Sequence, residues 1–253
     1  MSRPLVSVIM PAYNCIATVG TAIDSALSQE VPLEVIVVDD CSPQDLTEVL
    51  APYREDPRVK ILRNETNLGA AGSRNVGVVA ATGEYIAFLD ADDIWAPEKL
   101  QKQLALIREK DSVLCATARE LMTPEGELTG RVIPVKETIT YKELLKHNSI
   151  NCSSVLMKAE VAKAFPMEHE DSHEDYILWL KILQKYGFAC AVNEPLLRYR
   201  LSNTGKSGSK LHSAKMTFKV YRYMGFGTVS ACLLFASYAF HGVMKYALSF
   251  LKK

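Results

Sequence analysis

The sequence predicts an α/β protein built on a doubly wound sheet with helices on both faces. Short apolar runs alternate with segments of helical period, the pattern of βαβ units. The runs are almost continuous in Val, Ile and Leu, as strands covered on both faces must be. Three of them end in polar residues, and ligands of such sheets bind beyond the carboxyl ends of the strands.

Leu5 to Met10 is the first buried strand, ended by Pro11. Ile16 to Gln29 repeats apolar residues at Ile16, Val19, Ile23, Ala26 and Leu27, a helical period. Leu33 to Val38 is the second strand, ended by Asp39-Asp40. Pro43 to Tyr53 reads as a helix, because a proline near the start costs little. Val59 to Leu62 is the third strand, and Asn67-Leu-Gly-Ala-Ala-Gly72 turns into a helix that runs through Ala81. Tyr85 to Leu89 is the fourth strand, followed directly by Asp90-Ala91-Asp92-Asp93 and a helix from Pro97 to about Lys110. Val113 to Ile139 is strand-rich, with a turn at Pro124-Glu-Gly126. Tyr141–Lys146 reads as a helix, Ser153–Lys158 as a strand and Asp175–Tyr186 as a helix. In the last, Tyr176, Trp179, Leu180 and Leu183 fall at i, i+3, i+4 and i+7, so one face is buried.

With 253 residues and 48% hydrophobic content the chain makes one large domain, or one domain and a small appendage. Its formal charge is zero but unevenly spread: all 29 acids lie in residues 1–194, against 19 of the 29 bases. The acid-free remainder holds ten bases, which points to an anionic partner surface. Six scattered cysteines include no C-x-x-C pair and so no thiolate zinc framework. The first strand follows the initiator almost at once without a signal peptide, so the body of the chain is expected in the cytosol.

Chemistry concentrates at the strand ends. Asp90 and Asp92 alternate, so extended backbone points both carboxylates to one side. Such a cluster repels itself unless a cation or donors offset it, and Mg2+ or Mn2+ bridging to a diphosphate would do so. The plainer alternative is an acidic loop capping the next helix. Asp39-Asp40 can accept from a base N–H or ribose hydroxyls, or cap the helix at Pro43. Tyr13 can stack on a base or pack in the core. Arg74, one turn into the helix opened by Gly69–Gly72, suits phosphate contact or a surface ion pair.

The stretch from His169 to His173 reads H-E-x-x-H, a zinc peptidase pattern. Residues 168–175 contain no apolar side chain, so a helix through both histidines could not dock in a core; a solvated loop holding His169 and Glu170 is expected. A dinucleotide dehydrogenase needs a glycine-rich fingerprint after the first strand, and Met10-Pro-Ala-Tyr-Asn-Cys15 has none. A sugar nucleotidyltransferase would carry a basic, glycine-rich loop there.

Five stretches in consistent order over residues 5–200 resemble the family 2 glycosyltransferases of the GT-A fold. They are Val6-Ser-Val-Ile-Met-Pro-Ala-Tyr-Asn14, Glu34-Val-Ile-Val-Val-Asp-Asp40, Asn67 to Gly77, Gly83 to Asp93, and His173-Glu-Asp-Tyr176. The resemblance implies a doubly wound mixed sheet and transfer of a sugar from a nucleotide diphosphate sugar, with UDP the expected nucleotide and inversion at the anomeric carbon, to a glycan or lipid-linked acceptor. It implies nucleotide or donor contacts at Pro11, Tyr13, Asp40, Arg74, Asp90 and Ala91, with Asp40 reading the base. Asp92 then resembles the ligand of Mn2+ or Mg2+, and Asp175 the catalytic base, with Glu174 positioning it or the acceptor. A catalytically dead sugar-binding scaffold on the same fold is the alternative, against which stands the full set of carboxylates.

Arg198 to Lys210 resembles the family's tyrosine–arginine segment and a flexible loop able to close over a diphosphate. Tyr223 to Met244 then holds no Asp, Glu, Lys or Arg over 22 residues, long enough to span a bilayer. Glycines and hydroxyls interrupt it, so a hairpin or an interfacial helix fits as well as a span, and a helical pair packed on the body is the alternative. Flanking cations favour anionic lipid over nucleic acid, since they do not interleave with aromatics along a groove. The expected organisation is a catalytic domain over 1–200, a basic linker over 201–222, and an apolar helical segment over 223–253 at the cytoplasmic face of the membrane.

Overall fold

The computed structural model describes residues 5–201 and 210–250. The first half is β1 (Val6–Ala12), α1 (Val19–Leu27), β2 (Leu33–Asp39), α2 (Thr47–Leu50), β3 (Val59–Arg63), α3 (Gly69–Ala80) and β4 (Tyr85–Phe88). β1 pairs in parallel with β2 and β4, and β2 in parallel with β3, giving the spatial order β3-β2-β1-β4. The chain therefore reverses its direction of progress between β1 and β4, which opens a crevice at their carboxyl ends. Period-two alternation feeds two cores: Ile9, Ile36, Val38 and Phe88 face one, and Val8, Met10, Val35 and Val37 the other. α3 lies so close on β1 that a Cβ at Gly77 would stand 2.3 Å from Ile9 Cγ2, a contact only glycine avoids.

The second half is β5 (Ile94–Trp95), α4 (Lys99–Glu109), β6 (Leu114–Met122), β7 (Leu128–Ile133), β8 (Thr138–Thr140), α5 (Tyr141–Lys146), β9 (Leu156–Lys158), α6 (Ala159–Ala164), α7 (Glu174–Tyr186), β10 (Phe188–Arg200), α8 (Lys210–Tyr223) and α9 (Thr228–Phe250). β9 runs antiparallel between β4 and β6, β6 is parallel to β10, and β10 is antiparallel to β5 and β8. The sheet is thus mixed and ten-stranded. The predicted apolar face of α7 is buried throughout, with Trp179 tilted against Phe88 at 6.3 Å between ring centroids.

Three expectations are corrected. The helix read from Pro43 begins only at Thr47, because Asp39 accepts from the Ser42 N–H and Arg63 binds both Asp39 and the Ser42 carbonyl, holding residues 40–42 in a turn. The strand read from Ser153 begins at Leu156, after a 3-10 turn over Cys152–Ser154. The linker read over 201–222 is helical from Lys210: Met216, Thr217, Val220 and Tyr221 form the buried stripe of α8. The hydroxyl-rich part of that segment, residues 202–209, lies outside the described residues.

Among the described residues no helix is long and apolar enough to cross a membrane. α9 instead packs on α5 and α8, with Tyr238 5.3 Å from the His147 ring and 6.0 Å from the Tyr176 ring.

Candidate active site

The parallel register pairs Ala12 with Asp39, and the Asp40 N–H donates to the Ala12 carbonyl at 2.8 Å. Tyr13 and Asp40 therefore leave the sheet side by side. Pro11 is half-buried within β1, and the Tyr13 ring is 50% exposed, available for stacking rather than packed in the core. Asp40 is buried; its Oδ1 accepts from Asn64 Nδ2 and from the Leu68 N–H, both at 2.8 Å. The two neighbouring acids thus divide their work: Asp39 closes the turn after β2, and Asp40 ties β2 to the loop that opens α3.

The Asp90–Asp93 loop follows β4 directly. Ser153 Oγ accepts the Asp90 N–H at 3.1 Å, and Ala91 is buried. Arg200, at the end of β10, fastens the other side: its N–H donates to Asp93 Oδ1 at 2.9 Å and its Nε to the Asp92 carbonyl at 2.8 Å. Asp93 is 1% exposed, and its Oδ2 is buried with no hydrogen-bond partner among the described residues. Burial, then the charges of Asp92 and Asp90, hold its carboxyl well above the usual range. Burial and the Asp90 charge likewise push Asp92 up to about 6. Apart from its own N–H, no described residue donates a hydrogen bond to the Asp92 carboxylate.

This loop carries more negative charge than its donors offset, which suits a divalent cation. Among the described residues no three His, Cys, Asp or Glu side chains are grouped to hold one alone. The donor set therefore fits an ion held by one or two carboxylates and completed by phosphate oxygens, as Mg2+ sites commonly are.

Arg74, expected at a nucleotide or phosphate or in a surface ion pair, is held by ion pairs that are buried. It is 5% exposed and lies between two acids: one nitrogen is 2.5 Å from Asp90 Oδ1 and another 3.3 Å from Glu174 Oε1. It thereby joins the Asp90–Asp93 loop to the first turn of α7. Asp175, the next residue of that turn, is half-buried, and its Oδ1 accepts the Tyr176 N–H at 2.7 Å. Cys152 lies buried amid the charges of Arg74, Asp90, Asp175 and Glu174, and burial raises its thiol.

The H-E-x-x-H stretch is not a metal helix. His169 has φ of 64°, the Ser172 N–H donates to its carbonyl, and α7 starts only at Glu174. Nor is it a merely solvated loop. His169 stacks on Tyr223 at 3.7 Å, and Asp171 binds Lys219 at 2.6 Å and the Tyr223 hydroxyl at 2.9 Å. Glu170 Oε2 accepts the Ala71 N–H at 2.9 Å, against the positive end of α3. A Cβ on Gly69, whose φ is +74°, would stand 2.5 Å from that carboxyl.

Sequence reasoning missed Arg200, Ser153 and Glu170 as supports of the site. Only Arg200 had a signal, its place in the tyrosine–arginine segment.

Comparison with known proteins agrees with this geometry. A family model described as glycosyl transferase family 2 matches residues 7–161. A Bacillus subtilis glycosyltransferase named for teichuronic acid biosynthesis, TuaG, is 36% identical over 96% of this chain and 98% of its own. WfgD of Escherichia coli, a UDP-Glc:α-D-GlcNAc-diphosphoundecaprenol β-1,3-glucosyltransferase, is 33% identical over 99% of this chain and 98% of its own. Staphylococcus aureus TarS residues 1–349, solved with UDP-GlcNAc, superposes with a TM-score of 0.71 at 22% identity, covering 92% of this chain and 71% of that one. The mannosyltransferase PcManGT of Pyrobaculum calidifontis, solved with GDP-Man and Mn2+, reaches 0.72 at 17% identity, covering 100% of this chain and 75% of that one. The solved structures share the GT-A fold with this chain, and the sequence matches over its length go further: it belongs to the family 2 glycosyltransferases.

Proposed function

We propose that this glycosyltransferase moves a sugar from a UDP-sugar to a hydroxyl of a lipid-linked or glycan acceptor, with inversion, and that residues 1–200 carry the catalysis. The observation that carries the reading is the Asp90–Arg74–Glu174 bridge, which ties the base-bearing turn of α7 to the donor-side loop. The exposed Tyr13 ring stacks on the base, beside Pro11 and Asp40 at the nucleotide end. Asp90 and Ala91 face the ribose and sugar.

Asp92, with a carboxylate not spent on described donors, would hold a Mn2+ or Mg2+ ion against the diphosphate. When bound, that ion supplies electrostatic stabilisation of the charge developing on the leaving phosphate. Asp175 accepts the proton of the acceptor hydroxyl as that oxygen bonds to the anomeric carbon and the bond to the β-phosphate oxygen breaks. Attack from the face opposite the leaving group inverts the centre, through a transition state of oxocarbenium character. Glu174, neutralised by Arg74, positions the turn rather than taking the proton.

UDP and a lipid-linked acceptor are favoured by the donor and acceptor in the name of WfgD and by the ligand of TarS. A lipid-linked acceptor puts the reaction at a membrane surface, on the cytoplasmic side where nucleotide sugars are made. The test is UDP release from a panel of UDP-sugars, with Mn2+ present and after chelation. Transfer is expected to be lost in Asp92→Asn and to fall by about 10²–10⁴ in Asp175→Asn; unchanged activity in either variant removes that residue from the mechanism.

A further inference from the structure

α9 has two apolar faces, one turned into the fold and one exposed. Ala231, Phe235 and Tyr238 face inward, Phe235 meeting Phe218 of α8 edge-on at 6.5 Å. On the opposite side Val229, Leu233, Ala236 and Phe240 recur at i, i+4, i+7 and i+11, a straight stripe about 16 Å long. Val229, Leu233 and Phe240 are 75, 69 and 64% exposed. Three large apolar side chains aligned on one helix mark a contact surface, whereas scattered ones would need no explanation.

Charge identifies what the stripe meets. The chain contains no Asp or Glu after Glu194, so α8 and α9 hold Lys210, Lys215, Lys219, Arg222 and Lys245 without a single acid. A second copy docked on this face would bring together two helix pairs that contribute no acid of their own. An anionic bilayer complements it. Where α8 and α9 part, a groove of about 500 Å³ is lined by Ala214, Phe218 and Phe235, with Lys215 and Lys219 beside them. Apolar walls with ammonium groups at the edge suit an acyl chain below an anionic headgroup.

We propose that the outer face of α9 is a docking surface for an anionic bilayer. The helix lies in the plane of the headgroups, not across the membrane, and its inner face stays on α5 and α8. Because α8 also grips the loop before Asp175, through Lys219–Asp171 and Tyr223–His169, the docked helix pair holds the acceptor side of the enzyme toward the lipid. This last step rests on the transfer reading above; the docking itself does not.

The full chain is to be floated with vesicles of phosphatidylglycerol and phosphatidylethanolamine, and with vesicles of phosphatidylcholine alone. The wild type is expected to float with the anionic vesicles and to lose binding in high salt. Val229→Glu combined with Leu233→Glu is expected to bind them at least about tenfold more weakly, with its circular dichroism and UDP release unchanged. Flotation equal to wild type in that variant overturns the proposal, as does failure of the wild type to float. A variant that merely splits a dimer in solution, with flotation intact, assigns the face to a second copy and also overturns it. Flotation requires no donor, so a chain that floats but releases no UDP upholds the docking face while overturning transfer. A chain that releases UDP but does not float does the reverse.

Discussion

Asp39, Asp40, Asp90 and Asp93 each accept from a partner elsewhere in the chain, whereas among the described residues Asp175 accepts only from the N–H of the residue after it. The donor side and the acceptor side of the crevice are thus built on different terms. Acids at the ends of buried strands lose their water and need partners to stay charged. An acid on the half-exposed first turn of a helix keeps water within reach and can leave its oxygens for chemistry. Asp92 is the donor-side exception: its carboxylate has no described donor beyond its own N–H, and burial beside Asp90 raises it to about 6. The two acids assigned the metal and the proton are those the fold leaves least engaged.

The largest effect that sharpens this contrast is Asp175→Asn. Turnover is expected to fall by about 10²–10⁴ while UDP affinity, measured by calorimetry, stays as in the wild type. A matching loss of affinity would mean that the acceptor-side acid also supports the donor site.

Arg74→Ala attacks the ion-pair link between the Asp90 loop and the first turn of α7. It leaves Asp90 and Glu174 without their shared cation, for an expected loss of about 3–5 kcal/mol in urea unfolding. Arg74→Lys is expected to lose less, because the charge remains while the fork that reaches both acids does not.

Lys99 tests the same rule with the opposite charge. It is wholly buried, its ammonium donates to Gln103 Oε1 at 2.8 Å and stands 4.0 Å from the centre of the Trp95 ring, and burial lowers its pKa from 10.5 to about 7. Between those values the unfolded chain holds a proton that the folded chain lacks. Stability is therefore expected to rise with pH from about 7 to 10.5 and to be independent of this group below 7. Lys99→Met is expected to remove that slope and to stabilise the protein at neutral pH by about 1–4 kcal/mol, read from thermal unfolding across pH. The smallest effect is that of Glu170→Gln, which weakens the contact with the α3 amino end by about 0.3–1 kcal/mol, seen as a small drop in the unfolding midpoint with turnover retained.

What was legible in the sequence was local. β1, β2 and β4 announced themselves as apolar runs, and α5 has the limits read for it, held by the reciprocal Thr140–Glu143 cap. β10 was hidden because Asn193-Glu194-Pro195 interrupts its alternation, where the pairing with β6 shifts register twice. α8 was hidden behind its lysines, although its buried stripe is spaced for a helix. Among site residues, the positions of Tyr13, Asp40 and Asp92 at strand ends followed from topology. The bond from Arg74 to Glu174 did not, since it joins positions 100 residues apart and neither sequence neighbourhood names the other. The same holds for Glu170, whose H-E-x-x-H setting suggested a metal while its carboxylate caps α3.

Arg200 has a consequence for the order in which the molecule is made. The Asp92–Asp93 loop emerges early in synthesis, yet the side chain and N–H that fasten it come more than a hundred residues later, on the last strand. Until β10 is laid against β6, the parallel strands β1–β4 can pair while the Asp92–Asp93 loop lacks its outer clasp. A fragment ending at residue 161, where the family match ends, would have the outline of a donor site without its closure. Truncation anywhere before residue 200 would thus leave the Asp92–Asp93 loop without the N–H and guanidinium that fasten it.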